Sequence, residues 1–163
     1  MITLSGRAAL LGFVLATSSA ASAQSSPSSS SPAPSAAART PAFEAAAATV
    51  DAFHAALRRG DTAAAANLIA DDALIFEEGG AERSKAEYQA HHLDADAAFS
   101  KAVNSVRTRR TGRASGDTAW VATEGRVTGT FNGRAVDRTT VETMVLRRTR
   151  NGWRIVHIHW SSR

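Results

Sequence analysis

Asn132-Gly133 is the feature that leaves this chain the least freedom. Two runs with alternating apolar residues, Thr118–Phe131 and Arg134–Arg148, meet across that dipeptide. Asn-Gly is the strongest two-residue signal for a tight β-hairpin, because both central positions must take positive φ. Two further turn signals, "ASGD" and "RNG", flank the hairpin with runs of the same kind at Lys101–Arg113 and Trp153–Ser161. The expectation is a meander of four long antiparallel strands, which needs an apolar cover on at least one face.

Turn length also dictates register. Pairing Phe131 with Arg134 sets Val121 opposite Met144, Thr123 opposite Glu142 and Ala119 opposite Leu146. Treating Asn151-Gly152 the same way pairs Arg150 with Trp153, and so puts Leu146 beside His157 and Met144 beside His159. One face then carries Thr123, Glu142, Met144, Trp153, His157 and His159, and the other Trp120, Val145, Val156, Ile158 and Trp160. Both faces are substantially apolar. A second face rich in Trp and branched residues predicts self-association, and the expectation is a homodimer through it.

The cover lies upstream. Thr40 followed by Pro41 reads as an N-cap with Pro at the first helical position. Phe43, Ala46/Ala47, Val50, Phe53/His54 and Leu57 then recur at helical spacing until Gly60. His54 falls on that apolar face and reads as a core or helix-contact histidine. Asp61 caps a short second helix, "TAAAANLIA", and "DDALIFEE" reads as a strand. Ser84 and Glu87 form a capping box that opens a third helix, "KAEYQAHHL". Together these make an α+β fold with helices packed in a curved sheet.

Before Thr40 the composition changes. "AALLGFVLAT" is an apolar run of signal-peptide length, and Ala21-Ser22-Ala23 is the small-x-small pattern of a cleavage site. The run is about half of the roughly 20 residues needed to cross a bilayer, so no membrane association is expected after cleavage. Residues 1–23 are therefore expected to be a signal peptide, 24–39 a disordered Ser/Pro/Ala-rich linker, and 40–163 the folded domain, periplasmic or secreted. The chain has no cysteine. This excludes a thiolate nucleophile and leaves packing or oligomerisation, not disulfides, to stabilise an exported domain.

Charge is divided along the sequence. From Glu44 to Asp96 there are 11 acidic residues against 4 basic, and from Ala97 to Arg163 there are 4 against 13. The arginines of the basic half sit at strand ends and turns without interleaved aromatics. That pattern suits a solvated or partner-facing surface and does not predict nucleic-acid binding.

The order of elements, together with "GDTAWVATEGRVTG", "NGRAVDRTTVETMVLRR" and the closing "GWRIVHIHWS", resembles the SnoaL-like branch of the nuclear transport factor 2-like superfamily. Trp153, Val156, His157, His159 and Ser161 also resemble the last strand of the association domain of calcium/calmodulin-dependent protein kinase II. The resemblance implies a cone-shaped fold with a pocket between the sheet and the helices. That pocket hosts isomerases, dehydratases, cyclases, hydrolases and members without known chemistry, so the fold does not choose among them. Cyclase-type and isomerase-type members use an Asp base at particular pocket positions, and the resemblance does not assign that role to an Asp of this chain.

The candidate site residues follow from the face that the resemblance turns toward the pocket. His159, Glu142 and His157 are the candidate acid/base group, since a carboxylate beside an imidazole orients it and tunes its proton affinity. Tyr88, His91, His92, Thr123, Met144 and Trp153 are the expected ligand-binding residues. Adjacent His91 and His92 point about 100° apart on a helix, so one at a time can face the pocket. Glu77 or Glu78 could stand at its mouth. "HHLDAD" lacks the i, i+4 His pair of a zinc helix, and neither a metal nor a cofactor is expected. No nucleophile elbow, phosphate loop or dinucleotide fingerprint occurs. The function expected is binding of a small, largely apolar organic ligand without catalysis. The alternative is a metal-independent isomerase, cyclase or dehydratase working through a His–Glu pair.

Overall fold

The computed structural model describes residues 40–163; the expected signal segment and linker lie outside the described residues. Helix α1 spans Pro41–Arg59, capped by Thr40 Oγ1, which accepts from the Phe43 N–H at 3.2 Å. It stops at Gly60, whose φ of 72° is the left-handed conformation that glycine adopts without a Cβ penalty. Asp61 caps α2, Thr62–Asn67. Then follow β1 (Ile69–Glu77), β2 (Gly80–Glu82), α3 (Lys85–His91) and α4 (Leu93–Ala102). Four long strands complete the chain: β3 (Val103–Ser115), β4 (Thr118–Phe131), β5 (Arg134–Thr149) and β6 (Gly152–Ser162).

The six strands form one sheet in the order β2-β1-β6-β5-β4-β3. The meander is as expected, and β1 closes it by pairing parallel to β6. Two elements, β2 and α4, go beyond the expected order. The short β2 turns back on β1 through Glu78-Gly79, both with positive φ. Helix α4 extends the helical part beyond the expected end at Leu93; His92, with φ −124°, breaks the helix, and Leu93 and Ala97 bury one face of a new one.

Hairpin β4–β5 has the predicted register throughout, from Phe131↔Arg134 to Thr118↔Arg147. Hairpin β5–β6 does not. The Thr149 hydroxyl accepts from the Asn151 N–H at 3.1 Å, so the turn closes on Arg150-Asn151 and pairs Thr149 with Gly152. Leu146 therefore faces Ile155, and a bulge then inserts one residue before Val145↔His157 and Met144↔Ile158. One extra residue exchanges the two faces from there on, because side chains alternate with period two. Trp153 and Ile155 point inward as expected, but beyond the bulge Ile158 and Trp160 point inward and His157 and His159 outward.

The core lies between α1 and the concave face. Phe43, Val50, Phe53 and Leu57 of α1 are buried together with Val121, Met144, Leu146, Ile155 and Ile158. Gly112 on β3 is what lets α1 approach so closely: a Cβ there would stand 2.3 Å from Phe43 Cε2 and 2.4 Å from the Trp120 carbonyl oxygen. On the opposite face Val106, Trp120 and Val141 are exposed. His157 and His159 stand edge-on to Phe76 on that side, with ring centroids 5.3 and 6.2 Å away, and the His157 Nδ1 donates to the Leu74 carbonyl at 2.8 Å.

Candidate functional site

Register places five side chains in a single line across the concave face. Arg110 pairs with Thr123, Thr123 with Glu142, Glu142 with Trp160, and Trp160 with Glu77. This rung crosses β3, β4, β5, β6 and β1, so neighbouring side chains stand within cross-strand reach of one another. All five line a cavity of about 850 Å³, together with residues of α1 and α4. Asp51, His54 and Arg58 recur at helical spacing on α1, and Asp96 and Phe99 on α4.

The centre of the rung is a buried carboxylate. Glu142 is 8% exposed, and its Oε2 accepts from His54 Nε2 and Trp160 Nε1, each at 2.7 Å. Burial pushes the Glu142 carboxyl up, but the His54 imidazole, the indole N–H and the Arg110 guanidinium outweigh it and hold the group below its ordinary value. Its other oxygen, Oε1, is buried without a hydrogen-bond partner among the described residues. The Trp160 ring is fixed by Phe53, stacked at 6.3 Å, and by Tyr88 at 6.4 Å.

A second group of acids closes the β1 end. Tyr88 is fully buried and its hydroxyl donates to Asp96 Oδ2 at 2.7 Å, while His92 Nδ1 donates to the buried Glu82. Burial pushes Glu77 up to about 7, helped by the Asp96 charge and partly offset by His92. Asp96 is raised as well, by burial first, against the Tyr88 hydrogen bond that lowers it. Tyr88 is driven far above its ordinary value by burial and by Asp96, so it stays a hydroxyl donor. At the β3 end Arg110 and Arg107 both contact Asp51, at 2.8 and 3.0 Å.

Several expected site residues therefore stand elsewhere. The bulge puts His157 and His159 outside the cavity, and the imidazole beside Glu142 is that of His54, from α1. Met144 and Trp153 are packed into the core and do not line the cavity. His91 is exposed; His92 and Tyr88 act from behind the wall, through Glu82 and Asp96. Thr123 and Glu142 are in the wall, as the β4–β5 register required. Of the proposed contact face, Ile158 and Trp160 turn inward, whereas Trp120, Val145 and Val156 remain at least partly exposed. The sequence signal for His54 is a polar residue on an apolar helical face. Asp96 belongs to the Tyr88/His91/His92 cluster of the "HHLDAD" segment and does meet Tyr88, whereas Arg110 carries no comparable signal.

The match to known proteins covers this same region. A family model described as the SnoaL-like domain fits residues 46–163. The chain belongs to the SnoaL-like family. Among solved structures, this SnoaL-like domain is similar to a candidate ketosteroid isomerase from Shewanella frigidimarina, at 35% identity and a TM-score of 0.70, covering 74% of this chain and 98% of that one. A candidate calcium/calmodulin-dependent protein kinase II association domain from Xanthomonas campestris matches at 25% identity and a TM-score of 0.63, over 74% and 86% of the two chains. A candidate dehydratase of the nuclear transport factor 2-like family from Streptomyces avermitilis shares the fold at 21% identity and a TM-score of 0.64, over 74% and 95%. No curated protein matches. Among the described residues, no group of three or more His, Asp or Glu side chains is arranged to hold a metal ion, and no helix is long and apolar enough to cross a membrane.

Proposed function

We propose that this SnoaL-like domain holds a small organic molecule in its cone. The observation that carries the reading is Glu142: a nine-tenths buried carboxylate in the cavity wall, with one oxygen bound twice and the other unpartnered. An unpaired buried acceptor costs about 1–3 kcal/mol, and a ligand N–H or O–H that reaches it recovers that cost. Phe99, Phe131, Val127 and Val136 supply apolar wall on the way in. Native mass spectrometry of the protein purified from its own host tests this. A co-purifying organic molecule, lost in Glu142→Gln, is expected; a bare chain mass in every preparation would remove the reading.

A second reading, an acid/base enzyme, is favoured by Glu77. A carboxyl pushed up to about 7 exchanges its proton near neutral pH, and Asp96, held by Tyr88, stands beside it. The likeness to a candidate isomerase and a candidate dehydratase is consistent with that chemistry. Turnover that survived Glu77→Gln unchanged would exclude Glu77 from it.

Two further features belong to this proposal. The domain is exported by residues 1–23 to the periplasm or medium, which an intact mass starting at Gln24 would support. It also associates with a second copy through the outer face around Trp120, Val145 and Val156, as likeness to an association domain suggests. Sedimentation of wild type against Trp120→Glu reads that out, and a monomer at micromolar concentration would refute it.

A further inference from the structure

The charges along the rung are unevenly matched, and the mismatch has a direction. At the β3 end two guanidiniums, Arg107 and Arg110, share one carboxylate, Asp51. Arg110 is the buried one of the pair, its side chain 7% exposed. At the β1 end three carboxyls, Glu77, Glu78 and Asp96, line the cavity, and the cation in contact with them is Arg138, 3.4 Å from Glu78. The other charges acting on Glu77 are Glu82, behind it, and His92, which is hydrogen-bonded to Glu82. Between the ends lies the unpartnered Glu142 Oε1, next to the indole of Trp160.

We infer that the cone takes a zwitterion, a short chain with a carboxylate at one end and a protonated amine at the other. Its carboxylate lies on Arg110. Its ammonium lies over Trp160, among Glu142 Oε1, Glu77 and Asp96. An ammonium has three N–H donors and no acceptor, so three surrounding carboxyl oxygens satisfy it, and an indole face adds cation–π attraction. A guanidinium is the matching partner for a carboxylate. A ligand with either charge alone leaves the other end of the rung without a new counter-charge, which matters most at Arg110, the 7%-exposed arginine that shares Asp51 with Arg107. From Arg110 to Trp160 the rung covers three strand spacings, about 14 Å of backbone. The inward reach of the arginine takes up roughly half of that, leaving room for a chain of about five methylenes. The inference rests on reading the cone as a small-molecule site and adds the class of molecule.

The test uses four probes of one length: 6-aminohexanoate, hexanoate, hexylammonium and hexanamide. Each is titrated calorimetrically at pH 8 into the full-length chain and into Glu77→Gln and Glu142→Gln. 6-Aminohexanoate is expected to bind at least tenfold more tightly than the other three. Glu77→Gln, at a half-buried position that tolerates the change, is expected to weaken it at least fivefold and to leave hexanoate unaffected. A singly charged or neutral probe that binds as tightly would overturn the zwitterion while leaving the cone a ligand site. If no probe binds, the zwitterion falls, while the cone reading is decided separately by whether an organic molecule co-purifies with the chain. Unchanged 6-aminohexanoate affinity in Glu77→Gln would overturn the placement of the ammonium.

Discussion

Replacing Ile158 and His159 in turn tests the bulge that decides which residues reach the cavity. Ile158 is fully buried, against Met144 across the strand pair, whereas His159 is exposed beside Phe76 on the outer face. Ile158→Ala removes about three methylene equivalents, worth roughly 2.4 kcal/mol in transfer alone at about 0.8 kcal/mol each. The void left among Met144 and its neighbours adds to this, so a loss of about 3–4 kcal/mol is expected. For a domain of this size that corresponds to a fall in Tm of roughly 10 °C. His159→Ala removes an edge contact to one exposed ring and is expected to cost less than about 0.5 kcal/mol. Urea unfolding followed by Trp fluorescence, with far-UV circular dichroism as a second probe, reads both. With the unbulged register His159 would be inside and Ile158 outside, and the order of the two losses would reverse. A His159→Ala loss larger than that of Ile158→Ala would refute the bulge, and with it the rung.

Three more expectations concern the site and its support. Glu142→Gln keeps the side-chain volume but weakens the acceptor for His54 and Trp160, and should lose about 2–4 kcal/mol at pH 7 in denaturant unfolding. Because the folded carboxyl lies below its ordinary value of 4.5, its contribution is present above that pH and lost on acidification, so the variant's stability should fall less steeply with acid. Glu77 has the opposite sign: with a folded value of about 7 against an ordinary 4.5, the stability that goes with its bound proton is complete below pH 4.5 and lost as the pH rises toward 7. Glu77→Gln should therefore match wild type at pH 4 and exceed it at pH 8 by roughly 1–2 kcal/mol once solvent screening is allowed for; equal stability at pH 8 would contradict the buried, acid-flanked environment. Gly112→Ala should cost about 1–3 kcal/mol and lower Tm, because its Cβ meets Phe43 and a backbone oxygen that cannot step aside.

Features that depend on local chemistry were legible in the residues alone. Thr40-Pro41, Gly60, Asp61 and Ser84 mark helix ends because caps act within a turn. Asn132-Gly133 placed Thr123 opposite Glu142 because a two-residue turn with positive φ at both positions admits one register. Cap and turn signals were enough for the α+β elements, and the cone followed from the family resemblance of their order. Tertiary structure decided the rest. A Thr149 hydroxyl moved one turn by a residue, and a bulge in β6 then exchanged faces, sending His157 and His159 out and Trp160 in. Neither event leaves a periodic trace, since both strand faces are apolar and alternation fits either register equally well. The partner of Glu142 is likewise a matter of packing. His54 lies 88 residues away in the chain, and the way α1 sits on the sheet is what brings the imidazole to the carboxylate. Local rules chose the elements, and packing between distant elements chose which of their side chains share the cavity.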